Sequence, residues 1–310
     1  MNPGDLSWEP LEKLGTLIRY DRTAPHETLL RCEGAFAILT NKVVIGKELI
    51  NQLAPTLRYI GVTATGYNVV DTAAAKEAGI CVTNIPAYST HAVAQMVFAH
   101  LLAMCNHVEH YSHQVCNEDK WTTSQDFCFT DLPLKEIHGH TMGIVGLGAI
   151  GMAVAHIAHA FGMNVVAYTS KPQAALPPFI TACTMDALCQ QSDVVTLHCP
   201  LTPETRHMVS GPWLAGMKRG SILINTGRGP LVDEEAVAEA LSSGHLGAYC
   251  ADVLSQEPPS AGNPLLRAPR VQLTPHIAWA TQEARQRLMN CCADNLAAFI
   301  QGKPINIVNK

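Results

Sequence analysis

Short apolar runs alternate with longer amphipathic stretches along most of the 310-residue chain. Runs with the length of a buried strand are "GTLIRY", "AFAILT", "LRYIGVT", "ICVTN", "TMGIVG", "NVVAYT", "DVVTLH", "SILINT", "LGAYCADV" and "VQLTPH". A repeated order of strand, helix and strand predicts parallel sheets that helices cover on both faces. The pattern therefore predicts an α/β fold of two doubly wound, Rossmann-like domains with a cleft between them.

Two long helical patterns indicate the domain boundaries. Apolar side chains recur at three- and four-residue steps from Val93 to Tyr111, in one stripe that includes His100, and again over residues 282–301. A second helix that returns the chain to the first domain makes residues 1–92 and 281–310 the expected substrate-binding domain. Residues 93–280 are then the expected cofactor-binding domain.

Composition excludes several classes of partner. The chain is 47% apolar and 15% charged with a net charge of −5, so it offers no basic surface to attract nucleic acid. No apolar stretch approaches the roughly 20 residues that cross a bilayer, and the start "MNPGDLSWEP" lacks the basic and apolar segments of a signal peptide. We expect a cytoplasmic protein with neither nucleic acid nor a membrane as partner.

Neither the cysteines nor the histidines predict a metal site. The eleven cysteines are scattered without a CxxC pair, which favours buried thiols over disulfides or zinc ligands. His107, His110 and His113 are three residues apart, but successive steps of three drift around a helix and no carboxylate shares their stripe. We predict no metal.

The segment "TMGIVGLGAIG" predicts a dinucleotide-binding turn, because it joins a strand to a helix with glycines in the GxGxxG spacing. Gly146 permits the tight turn, Gly148 admits a pyrophosphate near the backbone, and Gly151 lets helix and strand pack closely. Ala149 and Ile150 begin the helix, whose N–H groups would face the phosphates.

The residues after the next strand bear on the choice of cofactor. No acidic residue follows about 20 positions on to bind the ribose hydroxyls. Thr169, Ser170 and Lys171 offer hydroxyls and a positive charge instead, which would suit a 2′-phosphate. NAD(H) and NADP(H) both remain candidates, and Lys171 as a solvated loop residue is the alternative.

Three ionisable residues follow separate strand patterns in the same half of the chain: Arg228, Glu257 and His276. Loops at the carboxyl ends of parallel strands surround one crevice, so these side chains are expected to share a site. The guanidinium of Arg228 can hold a carboxylate through two hydrogen bonds, and His276 can donate a proton. Glu257 beside the imidazole would favour its protonated form and fix its tautomer. This set predicts hydride reduction of a small 2-oxo acid to a 2-hydroxy acid.

Five segments together, "GLGAIG", "HCPLTPETRHMV", "LINTGRGPLVDEEAVAEAL", "ADVLSQEPP" and "LTPHIAWAT", resemble the D-isomer-specific 2-hydroxyacid dehydrogenase family. The similarity covers nearly the whole chain. Other stretches, such as "GVTATGYNVVD" and "NIPAYSTHAVAQ", look most like the family's glycerate dehydrogenases, also called hydroxypyruvate reductases.

The resemblance implies roles for further residues. It implies that Arg228 binds substrate, that His276 is the acid/base with Glu257 as partner, and that the protein is a homodimer. Backbone amides that would help hold the carboxylate are those of Ala64, Thr65 and Gly66. Residues implied to line the cofactor are Thr226, Gly227 and Asp252 near the nicotinamide, and Cys199, Pro200 and Thr205 near the adenosine.

The chain departs from the family pattern at three places. Thr169 stands where NAD-specific relatives have aspartate, and Gln95 where many members have glutamate. Relatives also begin with an apolar strand before a segment like "NPGDLSWEPLEKLG", whereas here Met1 lies inside that segment. We expect the first sheet to lack a central strand, which implies a start placed too late or impaired activity.

Two alternatives remain open from the sequence. Another family member that acts on phosphoglycerate or a bulky 2-oxo acid would differ only in its pocket. A non-catalytic nucleotide-sensing protein, similar to the corepressors related to these dehydrogenases, would keep the fold and bind the cofactor without turnover.

Overall fold

The structure, a computed structural model, describes residues 3–310. Its strands are β1 (Ala37–Thr40), β2 (Tyr59–Val62), β3 (Cys81–Thr83), β4 (Thr141–Val145), β5 (Asn164–Tyr168), β6 (Ile180–Ala182), β7 (Val194–Leu197), β8 (Ile222–Asn225), β9 (Ala248–Ala251) and β10 (Val271–Leu273). Its helices are α1 (Glu9–Glu12), α2 (Thr28–Cys32), α3 (Lys47–Leu53), α4 (Thr72–Glu77), α5 (Thr90–Asn106), α6 (Val108–Asn117), α7 (Ala149–Ala160), α8 (Met185–Gln191), α9 (Gly211–Ala215), α10 (Glu234–Ser242) and α11 (Gln282–Ile300).

The chain folds into two compact units. The first comprises residues up to Ser89 together with Trp279–Lys310, and the second comprises Thr90–Ala278. The sequence-based boundaries fall at 92/93 and 280/281; residues 1 and 2, with which the first expected domain begins, lie outside the described residues. The substrate- and cofactor-binding roles of the two units stay predictions.

The second unit contains a seven-stranded sheet in the order β10-β9-β8-β7-β4-β5-β6, with every neighbouring pair parallel. Consecutive side chains of a strand point to opposite faces. Ile144 and Ile224 accordingly enter an apolar cluster with α5 and α7, while Val145 and Leu223 enter another that includes α10. Both faces are buried, which confirms the doubly wound α/β arrangement.

The first unit has a smaller parallel sheet in the order β1-β2-β3. Helix α11 packs against β2, and its first turn is capped by Thr281, whose hydroxyl accepts a hydrogen bond from the backbone N–H of Ala284. The helical pattern over 282–301 is confirmed, because α11 ends within one residue of that range.

One predicted strand was wrong, and one observed strand was not predicted. The run "GTLIRY" over 15–20 forms no strand, and Ile18 and Tyr20 are exposed. Within the described residues no neighbouring strand pairs with this run, so it gains neither ladder hydrogen bonds nor burial. Conversely, β6 at the edge of the large sheet was not predicted, because its three residues are too few for a periodic signal.

The apolar stripe from Val93 to Tyr111 does not form one continuous helix. His107 has φ 50°, in the left-handed region, and it separates α5 from α6. A right-handed helix cannot continue through that conformation. Apolar periodicity therefore continues across a break that it does not reveal.

Candidate active site

Six loops of the second unit leave its sheet at one edge. Because the strands are parallel and in register, their last residues form one row: Tyr168, Val145, Leu197, Asn225, Ala251 and Leu273. The strand order reverses between β4 and β7, and doubly wound sheets bind ligands at that position. All cofactor and catalytic residues predicted in this unit lie in these six loops or, for Ala149, Ile150 and Gly151, in the first turn of α7 that follows the loop after β4.

The glycine turn after β4 has the geometry that its sequence requires. Gly146 has φ 93°, and a Cβ there would lie 2.7 Å from the backbone nitrogen of Cys199. A Cβ on Gly151 would lie 2.2 Å from the carbonyl oxygen of Gly146. Gly148 precedes the first residue of α7, and a Cβ there would meet no described atom within 4 Å. The turn is therefore tightly packed at Gly146 and Gly151, and at Gly148 it leaves open the approach to the helix N–H groups.

The neighbouring loops add polar groups of the kind that a dinucleotide needs. The hydroxyl of Thr226 is buried and has no hydrogen-bond partner among the described residues, as expected for a group that a ligand completes. After β5, Ser170 and Lys171 are exposed, and Thr169 Oγ1 accepts a hydrogen bond of 3.2 Å from the backbone N–H of Lys171. The residues present therefore fit an NAD(P) cofactor.

The loop after β7 is held by its own hydroxyls. Thr205 Oγ1 donates to the carbonyl oxygen of Pro200 at 2.7 Å and accepts from the backbone N–H of Thr202 at the same distance. Thr205 therefore shapes this loop, while Cys199 lies next to Gly146. Contact of Cys199, Pro200 and Thr205 with adenosine stays a prediction.

His276 and Glu257 are joined by a hydrogen bond between their side chains. Nδ1 of His276 lies 2.6 Å from Oε2 of Glu257, and both side chains are about one-third exposed. Oε1 of Glu257 accepts a second hydrogen bond, of 3.2 Å, from the backbone N–H of Leu254, which orients the carboxylate. Because the carboxylate only accepts, Nδ1 carries the proton, and proton exchange with a ligand falls to Nε2.

The turn after β8 carries Arg228 against the loop after β9. A Cβ on Gly229 would lie 2.0 Å from the carbonyl carbon of Leu254, so only glycine permits this approach. The side chain of Arg228 is exposed, and its Nη1 donates to the carbonyl oxygen of Gly227 at 2.8 Å. Arg228 and His276 follow strands two positions apart in the sheet, a separation of ~10 Å that a long side chain and a small ligand can bridge.

Asn225 has a positioning function that the sequence interpretation missed. Its Oδ1 accepts from the backbone N–H of Gly227 at 3.0 Å, and its Nδ2 donates to the carbonyl oxygen of Arg228 at 2.9 Å. It thereby fixes the turn that presents Arg228. A fully buried amide at the end of an apolar strand was the available signal.

Asp252, predicted to lie near the nicotinamide, is 1% exposed and is committed to three protein donors. These are the Thr274 hydroxyl at 2.5 Å and the backbone N–H groups of Ile277 and Ala278 at 2.9 and 2.8 Å. The carboxylate therefore holds the segment that carries His276. Its contact with a cofactor stays a prediction.

Ala64, Thr65 and Gly66 belong to the first unit, directly after β2. The Ala64 carbonyl accepts from the N–H of Ile85 at 3.0 Å, and the Thr65 hydroxyl donates to the Ile85 carbonyl at 2.9 Å. The backbone N–H groups of residues 64–66 have no partner among the described residues. This loop thus presents donors of the kind that a carboxylate binds.

Two side chains of the histidine-rich helix α6 lie close to carboxylates. His110 Nε2 lies 3.5 Å from Asp131 and His113 Nε2 lies 3.4 Å from Glu118. Over residues 3–310, no three His, Cys, Asp or Glu side chains gather as metal ligands. Over the same range, no helix is long and apolar enough to cross a membrane.

Comparison with known proteins assigns these features to one family. The model described as "D-isomer specific 2-hydroxyacid dehydrogenase, NAD binding domain" matches residues 98–278. A hydroxypyruvate reductase of Blautia hydrogenotrophica is 46% identical, with 100% of this chain and 97% of that protein covered. A glycerate dehydrogenase of Methylorubrum extorquens is 44% identical, with coverage of 93% and 90%.

The solved structure of an acyclic imino acid reductase in complex with NADPH and D-Arg has a similar fold. It aligns with a TM-score of 0.85 at 29% identity, covering 99% of this chain and 97% of its own. Both units are therefore contained in a structural relative that binds a nicotinamide cofactor.

Proposed function

This chain belongs to the D-isomer-specific 2-hydroxyacid dehydrogenase family, and on that premise we propose that it is a hydroxypyruvate reductase, or glycerate dehydrogenase, that also reduces glyoxylate. The observation that carries the proposal is the His276–Glu257 pair, joined at 2.6 Å on the sheet edge that also carries the glycine turn. A positioned proton donor beside a nicotinamide site is what reduction of a 2-oxo acid needs.

The residues of the site divide the chemistry among them. The guanidinium of Arg228 and the backbone N–H groups of Ala64, Thr65 and Gly66 bind the substrate carboxylate. When bound, NAD(P)H supplies the hydride that reduces the carbonyl carbon. His276 donates the Nε2 proton to the carbonyl oxygen, which becomes the hydroxyl of the product, and Glu257 stabilises the imidazolium before the transfer. Oxidation of the 2-hydroxy acid reverses the proton transfer.

Cofactor choice rests on the loop after β5. Thr169 cannot repel a 2′-phosphate as an aspartate would, and the exposed ammonium of Lys171 attracts one. NADPH is therefore the preferred reductant in this proposal, with NADH accepted less well.

A small polar substrate fits the residues better than a phosphorylated one. Segment 126–134, "DFCFTDLPL", contains no basic side chain dedicated to a substrate phosphate. The two curated relatives named above carry the names hydroxypyruvate reductase and glycerate dehydrogenase. Hydroxypyruvate therefore ranks first and glyoxylate second.

Steady-state rates with hydroxypyruvate, glyoxylate and pyruvate, each with NADH and NADPH, test the proposal. The expected result is the highest kcat/KM for hydroxypyruvate with NADPH, followed by glyoxylate. Cofactor binding without turnover of any 2-oxo acid would instead identify a nucleotide sensor. Turnover confined to bulky or phosphorylated 2-oxo acids would overturn the substrate assignment and leave the reaction class intact.

The proposed enzyme acts in the cytoplasm as a homodimer, with a small 2-oxo or 2-hydroxy acid as substrate and without nucleic acid. The net charge of −5 supports the last point, since it disfavours polyanion binding. Large exposed apolar side chains between α6 and β4, Trp121, Phe127 and Leu134, support a protein interface at that segment.

A further inference from the structure

A line of polar groups, with His100 and Asp252 buried and Thr274 half-buried, joins helix α5 to the segment that carries His276. Nε2 of His100 lies 3.2 Å from the hydroxyl of Thr274, and that hydroxyl lies 2.5 Å from Oδ1 of Asp252. Asp252 in turn accepts hydrogen bonds from the backbone N–H groups of Ile277 and Ala278. All five residues belong to the second unit, although His100 is 174 residues from Thr274 in the sequence.

The direction of each hydrogen bond follows from the groups present. Asp252 only accepts, so the single hydroxyl proton of Thr274 points to the carboxylate. The Thr274 oxygen must then accept from His100, which requires the proton of the imidazole on Nε2. Burial lowers the pKa of His100 below its ordinary value, opposed by Gln272 and Asp252, so the neutral ring with one N–H is the relevant form.

The segment after β10 that these hydrogen bonds hold has an unusual backbone conformation. His276 has φ 54°, in the left-handed region that a residue with a side chain rarely adopts, and its N–H donates to the carbonyl of Thr274 at 3.0 Å. Such a conformation persists only where surrounding contacts fix it. Asp252 supplies two of those contacts immediately after His276, and the Thr274 hydroxyl orients the carboxylate that makes them.

His100 stands out among its neighbours on the helix. It is 2% exposed, and the α5 side chains around it, Val97 and Leu101, belong to the apolar cluster beneath the sheet. A buried imidazole in an apolar stripe costs free energy unless its polar atoms are used. Here the Nε2–H group of His100 is used as the hydrogen-bond donor to Thr274.

We propose that His100 is a positioning residue for His276, acting through Thr274 and Asp252 to hold the backbone that aims the catalytic imidazole. Of the two tests of this inference, only the kinetic one depends on the proposed function. Amide hydrogen exchange of Ile277 and Ala278 reports on the same linkage without any turnover.

Four variants test the linkage in the full-length chain: His100→Leu, His100→Gln, Thr274→Val and the double variant His100→Leu/Thr274→Val. His100→Leu is expected to lower kcat about tenfold or more, because small displacements of a catalytic group are costly, while KM stays within about twofold. His100→Gln retains an N–H donor and is expected to restore most of kcat. The double variant is expected to lose no more than Thr274→Val alone, because both changes break one path.

Amide exchange gives the second readout, and Val97→Ala on the same buried helix face is the matched control. The control is expected to lower Tm while kcat and the exchange rates of Ile277 and Ala278 stay at wild-type values. His100→Leu is expected to accelerate exchange at both amides at least fivefold beyond the control, about 1 kcal/mol.

Three results would overturn the proposal: unchanged exchange at Ile277 and Ala278 in His100→Leu, equal effects of the Leu and Gln variants, or additive losses in the double variant. If wild-type protein turns over no 2-oxo acid, the proposed function fails, and the exchange measurement alone still decides the role of His100.

Discussion

At the residue scale, the site depends on how firmly one imidazole is held. Glu257 fixes Nδ1 of His276 at 2.6 Å and is itself oriented by the N–H of Leu254. Asp252 fixes the backbone immediately after His276 by accepting hydrogen bonds from the N–H groups of Ile277 and Ala278. The ring is therefore oriented before substrate arrives, which is the condition under which a general acid is most effective.

Lys171→Asp tests the cofactor argument. An aspartate at this exposed position repels a 2′-phosphate, so kcat/KM for NADPH is expected to fall about tenfold or more, equivalent to ~1.4 kcal/mol, with little change for NADH. Steady-state kinetics with both coenzymes provide the measurement, and Lys303→Asp, an exposed lysine of the other unit, is the control. An equal loss with both coenzymes would contradict a role for Lys171 in recognising the phosphate.

His198 makes the free energy of unfolding depend on pH. Burial lowers the pKa of His198 to about 4, against an ordinary value of 6.5. Between those values the unfolded chain binds a proton that the folded protein does not, so the free energy of unfolding falls as the pH drops from 6.5 towards 4. Stability from this group is fully present above pH 6.5.

Thermal unfolding of wild type and His198→Gln between pH 7 and pH 5 measures this contribution of His198 to stability. The Tm of wild type is expected to fall more steeply, because glutamine does not titrate. Parallel Tm curves for the two proteins would show that His198 is protonated as easily in the folded state as in the unfolded chain.

The sequence was most informative about residues in loops with unusual composition. Glu257 and His276 could be selected because charged residues follow apolar strands, and the structure joins them. His100 could not, since it occupies a position in an apolar stripe and its partner Thr274 is 174 residues away. Periodicity identifies the buried face of a helix. It does not identify the hydrogen-bond partner of a polar side chain on that face.

At the element scale, parallel register aligns the loops into one site. Nine of the ten apolar runs recognised in the sequence contain strands of the structure, and the strand ends of the large sheet form a single row. The exception, residues 15–20, shows that an apolar run forms a strand only where another strand can pair with it. The break at His107 was likewise hidden, because the apolar positions recur on both sides of it.

Two substitutions in the glycine turn are expected to affect stability and cofactor binding differently. Gly151→Ala places a methyl group 2.2 Å from the carbonyl oxygen of Gly146, which forces the helix from the strand and is expected to cost ~1–3 kcal/mol of stability. Gly148→Ala meets no described atom within 4 Å and has φ −75°, so Tm is expected to stay near wild type. Its methyl group instead obstructs the pyrophosphate.

Thermal unfolding and fluorescence titration with NADPH test this pair. Both variants are expected to bind NADPH more weakly, but only Gly151→Ala is expected to unfold at a lower temperature. Wild-type affinity in Gly148→Ala would mean that the pyrophosphate does not approach the backbone at this turn.

At the scale of the whole molecule, one chain forms two units with separate sheets, and the first unit combines two separate stretches, residues 3–89 and 279–310. The class of fold was predictable, because alternating strands and helices permit few arrangements. The assembly of chains was not predictable from the pattern, because an apolar side chain at an interface has the same periodicity as any other exposed apolar side chain. Phe127 is 88% exposed, so a copy of the chain or another protein has a large apolar group to cover.

Light scattering during size-exclusion chromatography tests the homodimer. The expected mass is twice the 33.4 kDa of one chain. Phe127→Ser is expected to weaken dimerisation, whereas Leu30→Ser, at an apolar position of the other unit that is also largely exposed, is expected to have no effect. A single-chain mass at every concentration would contradict the dimer.

The central claim is that His276 transfers the proton during reduction of a 2-oxo acid, and His276→Ala tests it most directly. Loss of reduced-nicotinamide absorbance on addition of hydroxypyruvate is expected to slow by a factor on the order of 10²–10⁴, while NADPH affinity and Tm stay near wild type. A wild-type rate in that variant would contradict the account, since no other assigned group supplies the proton.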